Sequence, residues 1–523
     1  MHRNPSHMVH QFSQVPQAEI PRASFNRSHG HKTTFDAGFL IPIYVDEALP
    51  GDTFNVNMTG FARLATPIFP IMDNMSMDTQ FFAVPYRLVW DNWQKFNGEQ
   101  SNPGDSTDYL IPQMSAPAVT GYDIQSIQDY MGIPTGVPGL THSSLWLRAY
   151  QLIWNTWYRD QNLQDSLPVP TGDGPDDPGL FAIRRRGKRH DYFTSSLPWP
   201  QKGEAVNIPL GGTAPVSVTG AATLGGTGVG NFYANQASGA PAGGMGVSSP
   251  TPGTGSDQIN LTGLADLSLA TAATINSLRQ AFQIQKIFER DARGGTRYIE
   301  VIKAHFGVTS PDARLQRPEY LGGGSSPVNI SPIPQTSATG AYADSPQGNL
   351  AAMGTALLKR HGFTMSFTEH CLILGLVSVR ADLTYQQGLN RMWSRRTRFD
   401  HYWPALSHIG EQAVLQKEIF ADGTGNDELV FGYQERYAEY RYKPSIITGK
   451  LRSTYAQSLD SWHLAQEFAT APVLDAAFIE ENPPVDRVIA VPTEPHFIMD
   501  MHFAMRCARP MPVYGVPGLI DHF

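Results

Sequence analysis

The β-strand patterns of this sequence lie at the two ends of the chain, and this placement limits the folds that the chain can adopt. Residues 36–86 alternate apolar and polar side chains, and residues 496–508 repeat the pattern. This two-residue period is typical of strands with one buried face. In the C-terminal strand, the apolar face carries Phe497, Met499, Met501, Phe503, Met505 and Cys507. A single sheet system therefore has to pair the N-terminal quarter of the chain with its C-terminal third.

A further strand region is predicted near residues 361–383, where Cys371–Ala381 is apolar on both faces, as expected for a central, covered strand. Helical periodicity marks residues 143–159 and 273–292, and Gly-rich composition predicts a loop over residues 322–348. The lack of strand–helix alternation argues against a parallel α/β sheet. The pattern predicts a mainly β sandwich of jelly-roll type with very long insertions, and two all-β domains around a helical spacer are the alternative.

Residues 205–256 differ in composition from the rest of the chain. They contain no Lys, Arg, Asp or Glu, and 13 of these 52 residues are Gly. Such a segment cannot bury enough apolar area to fold as an independent domain. Because long loops of this kind in compact proteins are usually functional or disordered, we expect a surface insertion here.

The composition argues against most catalytic and metal sites. The only two cysteines, Cys371 and Cys507, lie in apolar strand patterns and are too few for a disulfide framework or a zinc site. The sequence contains no Gly-x-x-x-x-Gly-Lys-Ser/Thr, His-Glu-x-x-His or Gly-x-Ser-x-Gly motif. It also has no secretory signal and no run of about 18 apolar residues. We expect a protein that is not an enzyme, needs no cofactor or metal and does not insert into a membrane.

Positive charge is concentrated at the N-terminus of a chain whose formal net charge is −8. Residues 1–35 hold four cations and a single carboxylate. The cations are Arg3, Arg22, Arg27 and Lys32. A solvated, disordered terminus is one interpretation, and a basic N-terminal arm that contacts phosphate is the other.

Basic and aromatic side chains are interleaved most strongly in residues 391–403, which read RMWSRRTRFDHYW. The candidate binding residues are Arg391, Trp393, Arg395, Arg396 and Arg398. Arginine and aromatic side chains together suit single-stranded nucleic acid, because bases stack on rings and phosphates pair with guanidinium groups. The alternative interpretation is an element that keeps its charges in water and its rings in the core.

A second basic run opens the stretch 184–204, which reads RRRGKRHDYFTSSLPWPQKGE. Its cations are Arg184, Arg185, Arg186, Lys188 and Arg189. The aromatic and Pro-bounded end of the stretch predicts a strand end and a rigid turn. We therefore expect this stretch to lead into the uncharged insertion that follows it.

Several ordered strings resemble gokushovirus major capsid proteins, which belong to the microvirus family. One is Gly-Lys-Arg-His-Asp-Tyr-Phe-Thr-Ser-Ser-Leu-Pro-Trp-Pro-Gln-Lys-Gly at residues 187–203, and another is Asp-Ala-Arg-Gly-Gly-Thr-Arg-Tyr-Ile-Glu at residues 291–300. Arg-Pro-Glu-Tyr-Leu-Gly at residues 317–322 is similar too. The resemblance runs from near residue 3 to Pro512–Gly518 and is weakest in the uncharged insertion.

The resemblance implies an eight-stranded antiparallel viral jelly roll, residues 36–523, with long loop and helical insertions between strands, preceded by the basic arm of residues 1–35. It implies a bacteriophage capsid protein that self-assembles into a small icosahedral T=1 shell around a circular single-stranded DNA genome. Residues 205–256 become the candidate threefold protrusion, involved in host attachment. The arm cations and residues 391–398 become candidates for facing the genome. The cations of residues 184–189 become candidates for a subunit contact or a DNA contact.

The partners that the resemblance implies are copies of the same chain, the DNA genome, a DNA pilot protein, an internal scaffolding protein and a host surface receptor. The expected location is the virion, with synthesis and assembly in the host bacterial cytoplasm. Two alternatives are kept. An extracellular β-sandwich carbohydrate-binding or hydrolytic protein predicts an export signal. A free single-strand DNA-binding protein predicts net positive charge, whereas the net charge is −8.

Overall fold

The structure is a computed structural model of the 523-residue chain. It describes residues 21–204, 206, 275–294, 298–307, 316–336 and 347–514, together with four short strands between residues 217 and 262. The chain divides into two compact units, one formed by Met1–Pro200 with Asp291–Phe523 and the other by Gln201–Arg290. Most of the uncharged insertion, and Arg3 of the predicted arm, lie outside the described residues. The predicted protrusion at residues 205–256 therefore stays a prediction.

The larger unit is built on one antiparallel sheet of nine strands. The strands are β1 (Ala23–Asn26), β2 (His29–Phe35), β3 (Ile41–Ala48), β4 (Thr53–Leu64), β5 (Met75–Pro85), β6 (Glu319–Pro334), β7 (Leu350–Ser366), β8 (Cys371–Ala381) and β9 (Phe497–Arg509). β1 and β2 both pair with β9, one after the other along its length, so the sheet is eight strands wide. Its order is β1 with β2, then β9, β4, β7, β6, β5, β8 and β3.

The two edges of this sheet curl toward each other and enclose a core. The hydroxyl of Tyr44 on β3 donates to the sulfur of Met505 on β9 at 3.2 Å, and its ring lies 5.3 Å from that of Phe503. At the same junction, Nδ1 of His31 on β2 donates to the carbonyl oxygen of Ile43 on β3 at 2.8 Å. Residues from the two ends of the chain thus share one core. The predicted fold class, a mainly β antiparallel jelly roll with long insertions, is confirmed.

The longer helices are α1 (Leu145–Ile153), α2 (Ile275–Gly294) and α3 (Tyr298–Phe306). Single-turn helices occur at Trp93–Phe96, Ile127–Tyr130, Gln416–Ile419 and Ala476–Ile479. Among the described residues, four small antiparallel strand pairs lie outside the main sheet. They join Gln113–Ser115 to Thr141–Ser143, Ser217–Thr219 to Asn260–Thr262, Asn231–Phe232 to Met245–Gly246, and Glu411–Leu415 to Val430–Glu435. These elements belong to the insertions between sheet strands.

The loop predicted for residues 322–348 is wrong in its first part, because these residues extend β6 as far as Pro334. The glycines that suggest a turn in the sequence serve close packing between strands. A Cβ at Gly323 would lie 2.0 Å from the carbonyl oxygen of Thr79, and one at Gly324 would lie 2.5 Å from the ring of His361. Only glycine fits where neighbouring groups approach a strand this closely.

Residues 86–181, which belong to the insertion between β5 and β6, cover the outer faces of β5 and β8. Leu372, Leu374 and Leu376 of β8 pack outward into a second apolar cluster that contains Leu145 and Leu147 of α1. β8 is therefore buried on both faces, as its apolar sequence predicted. On β9, by contrast, the inward residues are buried and the outward residues are exposed. Within the described part of the chain, the outer face of β9, β4 and β7 is uncovered.

Candidate nucleic-acid and subunit interface

The predicted N-terminal arm contributes part of its length to the sheet, because residues 23–35 contain β1 and β2. Arg22 donates to the hydroxyl of Thr53 at 2.8 Å. Arg27 forms a two-pronged ion pair with Asp46, at 2.8 and 3.0 Å. Lys32 is exposed on β2. Arg22 and Arg27 therefore make contacts within the chain, and a DNA contact for these cations stays a prediction.

The basic run at residues 184–189 is tied to the sheet by polar contacts within the chain. Arg186 donates to Asp78 and to Ser378, each at 2.8 Å. Arg189 pairs with Asp382 at 3.0 Å. These acceptors belong to β5 and to β8 with its C-terminal flank, so much of the charge of the run is offset inside the subunit.

The other members of the run also contact neighbouring elements. The backbone N–H of Arg184 donates to the hydroxyl of Tyr150 at 3.0 Å. The guanidinium of Arg185 lies 4.0 Å from the centre of the Phe39 ring and donates to the carbonyl oxygen of Glu481 at 3.0 Å. The run therefore connects the segment before β3, α1 and the segment before β9. Its predicted contact with a second subunit or with DNA stays a prediction.

Lys188 is the most buried cation of this run, at 8% exposure. Its Nζ donates to Gln466 at 2.9 Å and lies 4.4 Å from the centre of the Phe478 ring. Loss of hydration lowers the pKa of Lys188 to about 8, although nearby carboxylates, including Glu481 and Asp191, oppose the shift. The folded chain therefore releases this proton at a lower pH than the unfolded chain does.

We expect the free energy of unfolding to rise between about pH 8 and pH 10 because of Lys188. In this range the unfolded chain holds a proton that the folded chain has lost, so raising the pH favours the folded chain by up to about 1.4 kcal/mol per pH unit. Urea unfolding of the full-length subunit at several pH values measures the slope. Lys188→Met should reduce it, and Lys443→Met, at an exposed lysine, should not. Equal slopes in wild type and Lys188→Met would contradict this assignment.

Within residues 391–403, two of the predicted arginines are held by carboxylates. Arg391 pairs with Glu418 at 2.9 Å and also donates to the carbonyl oxygen of Ala413 at 2.7 Å. Arg395 lies 3.4 Å from a carboxylate oxygen of Glu439, and its guanidinium stacks 4.2 Å from the centre of a tyrosine ring. These two arginines join the segment to the small strand pair at residues 411–435.

The remaining basic and aromatic side chains of this segment project into solvent. We call them the exposed lobe, which consists of Trp393, Arg396, Arg398, Phe399, Tyr402 and Trp403. Trp393 is 71% exposed and Phe399 is 62% exposed. The guanidinium of Arg398 lies 4.4 Å from the centre of the Trp403 ring. The carboxylate of Asp400 accepts from the backbone of residues 396 and 397, which lowers its pKa to about 2 and holds the turn in place.

The exposed lobe has the chemistry that single-stranded nucleic acid requires, since rings offer stacking surfaces and guanidinium groups pair with phosphates. The sequence placed Trp393, Arg396 and Arg398 in this candidate site. The sequence could not distinguish these exposed residues from Arg391 and Arg395, because only the fold shows which arginines form ion pairs with a carboxylate. The exposure of Phe399, Tyr402 and Trp403 had no local signal in the sequence.

Among the residues that the structure describes, no three His, Cys, Asp or Glu side chains are grouped so that they could hold a metal ion. None of the described helices has the length and apolar character needed to cross a bilayer.

Comparison with known proteins gives consistent matches along nearly the whole chain. A family model described as "Capsid protein (F protein)" matches residues 13–519. The chain is 50% identical over 532 residues to capsid protein VP1 of Bdellovibrio phage phiMH2K, with 99% of each chain covered. It is 46% identical over 590 residues to capsid protein VP1 of Chlamydia phage 1 and 38% identical over 543 residues to capsid protein VP1 of Spiroplasma virus 4, with 98% of each chain covered in both cases.

Proposed function

Because the chain belongs to the capsid protein (F protein) family and is a bacteriophage major capsid protein, we propose that its shell is a small icosahedral T=1 capsid that encloses a circular single-stranded DNA genome. The resemblance to gokushovirus major capsid proteins is confirmed, as are self-assembly into a shell and a location in the virion. The alternative of an extracellular carbohydrate-binding or hydrolytic protein is not supported. The proposal extends these conclusions to the form of the shell and its contents.

The single observation that carries the DNA part of the proposal is the exposed lobe. In a chain of net charge −8, it presents four large rings beside the exposed guanidinium groups of Arg396 and Arg398. Exposed aromatic side chains are costly unless they are covered by a partner, and this combination suits stacked bases and phosphates. The basic arm, including Arg3, Arg22, Arg27 and Lys32, is proposed to add contacts with phosphate.

The remaining parts of the proposal concern partners and place. On the basis of the family, we propose a purely structural role without catalysis and assembly in the bacterial cytoplasm. We also propose contacts with a DNA pilot protein, an internal scaffolding protein and a host receptor. The uncharged insertion at residues 205–256 is proposed as the threefold protrusion that meets the receptor. Its small side chains support this, because surface loops tolerate sequence change and often carry binding residues.

Sedimentation of the purified full-length protein tests the shell. Particles of megadalton mass that protect DNA from nuclease are the expected result. A small soluble species, or shells that never contain DNA under conditions where the genome is supplied, would overturn the proposal.

We expect Trp393→Ala to weaken binding of a fluorescent oligo(dT) by about 1–3 kcal/mol, which is the usual value of one base stacked on a ring. Titration of the full-length, unassembled subunit measures the affinity. Tyr514→Ala removes another exposed ring, one that is 84% exposed, and should leave the affinity unchanged. An affinity equal to that of the wild type in both variants would exclude stacking at the exposed lobe.

A further inference from the structure

The outer sheet face that the described part of the chain leaves uncovered has a distinctive charge. We call it the open sheet face, the outward side of β1, β2, β9, β4 and β7. Its charged side chains are five cations and a single carboxylate. They are Lys32, Arg63, Lys359, Arg360 and Arg506, with Asp500. This surface is strongly positive on a chain whose formal net charge is −8.

The strand register places these cations among small polar side chains. Arg506 on β9 lies opposite Asn26 on β1 and opposite Asn55 on β4. Arg63 on β4 lies opposite Thr355 on β7. Directly opposed side chains in an antiparallel sheet are about 5 Å apart, so each cation has hydrogen-bonding neighbours on the same face. Asn, Thr and Arg side chains are common donors to phosphate oxygens.

A β-bulge turns two consecutive cations to this same face. The register of β7 against β4 shifts between Leu358 and His361, and both intervening residues, Lys359 and Arg360, are exposed. Arg360 has φ +58°, a backbone conformation that is uncommon for residues other than glycine. Bulges of this kind re-aim side chains and are frequent at functional sites.

The bulge is held from the inside by a buried histidine. His361 is 4% exposed and is hydrogen-bonded to the hydroxyls of Thr79 at 2.7 Å and Ser326 at 3.0 Å. These contacts anchor β7 to β5 and β6 immediately after the two exposed cations. The outward orientation of Lys359 and Arg360 is therefore built into the sheet and does not depend on a flexible loop.

The cations of the open sheet face also differ from those of the basic run at residues 184–189 in their partners. Among the described residues, none of the five lies within 4.0 Å of a carboxylate oxygen, whereas Arg186 and Arg189 both form ion pairs. Arg63 instead stacks on its neighbour Phe61, 5.4 Å from the ring centre. The positive charge of this face is thus available to a partner.

We propose that the open sheet face binds the phosphate backbone of single-stranded DNA. This rests on the proposed function, in which the shell encloses such a genome. Nucleic acid is favoured over a second copy of the chain, because the cores of protein interfaces are depleted in charged residues. The open sheet face carries four exposed large apolar side chains, Phe61, Met353, Leu357 and Ile498, and its other side chains are mostly small, polar or cationic. The alternative occupant of this face is a second copy of the chain, which also carries negative charge, with a formal net charge of −8.

Salt dependence of oligo(dT) binding to the full-length, unassembled subunit tests the proposal. For single strands, the slope of log affinity against log salt changes by about 0.7 for each phosphate contact. Lys359→Gln combined with Arg360→Asn should therefore reduce the slope by about 1.4 and weaken binding about tenfold or more at low salt. Asparagine at position 360 tolerates the positive φ, which limits any effect on folding. Arg506→Gln, which leaves the bulge intact, should reduce the slope by about 0.7.

The matched control is Lys443→Gln with Lys450→Gln, which removes two exposed charges from a loop outside the sheet and should leave the slope unchanged. Binding by the sheet variants that equals wild-type binding would overturn the proposal. If those variants bind DNA normally but fail to form shells, the face is an interface between copies and the proposal is also overturned. If Trp393→Ala weakens binding while the sheet variants do not, only this inference fails. If the wild type neither binds oligo(dT) nor protects DNA in its shells, the proposed function itself fails.

Discussion

Replacing Phe503 with alanine is expected to lower the free energy of unfolding of the subunit by about 3–5 kcal/mol. Phe503 is fully buried on the inner face of β9, and its ring lies 5.3 Å from that of Tyr44 and 5.1 Å from that of His29. Removing the ring leaves a cavity at the place where the two edges of the sheet meet. Urea unfolding of the full-length, unassembled subunit measures the loss as a lower midpoint at an unchanged slope.

The control for this substitution lies on the same strand. Ile498 faces outward from β9 and is 64% exposed, so Ile498→Ala should change the free energy of unfolding by no more than about 0.5 kcal/mol. Both changes remove only apolar atoms, and they differ in the face of the strand on which they lie. Equal losses for the two variants would contradict the inward and outward assignment of β9, and with it the sheet that joins the two ends of the chain.

Replacing Asp176 with asparagine is expected to cost about 3–5 kcal/mol, because it leaves a buried guanidinium without its counter-charge. The Arg148 side chain is completely buried on α1, and that of Asp176 is 4% exposed. Nε and Nη2 of Arg148 donate to the two carboxylate oxygens at 2.6 and 2.8 Å, and Nη1 donates to the carbonyl oxygen of Val89 at 3.0 Å. The pair joins α1 to loops on both sides of it, so its loss should loosen the insertion that covers β8.

Two further variants distinguish the free-energy cost of an unpaired buried charge from the cost of losing the ion pair itself. Arg148→Met combined with Asp176→Leu removes both charges and should recover most of the stability that Asp176→Asn loses, since apolar residues can replace a buried ion pair. Glu435→Gln weakens the solvent-exposed pairs that Glu435 forms with Arg293 and Arg441, and should cost no more than about 1 kcal/mol. A double variant as unstable as Asp176→Asn would show that the pair stabilises the insertion by its geometry and not by avoiding an uncompensated charge.

The parts of the fold that the sequence predicted are those with a regular local period. The alternation in β9 correctly separated the buried residues from the exposed ones, and the continuous apolar run of β8 correctly predicted cover on both faces. The error at β6 has a physical cause. Its glycines satisfy a close approach to Thr79 and His361, but in the sequence they look the same as glycines in a turn.

The candidate sites were predicted less completely. The sequence identified residues 391–403 by their mixture of basic and aromatic side chains, and the structure exposes the rings of Trp393 and Phe399. The sequence also made the cations of residues 184–189 candidates for a subunit contact or a DNA contact, and in the structure these cations are largely engaged inside the subunit. It did not find the open sheet face, because the cations Arg63, Lys359 and Arg506 are far apart in the chain and form no basic run.

The order of residues fixes which faces of the strands are apolar, because side chains alternate between the two faces of a strand. It favoured one sheet that joins the two ends of the chain, with two separate all-β domains as the alternative, and the fold settled that choice. Which charges are offset inside the subunit depends on contacts that only the folded chain creates. Arg186 meets Asp78 across 108 residues, and Arg189 meets Asp382 across 193 residues. A charge is offset by whatever lies within a few ångströms of it, and that neighbourhood exists only once the sheet has formed.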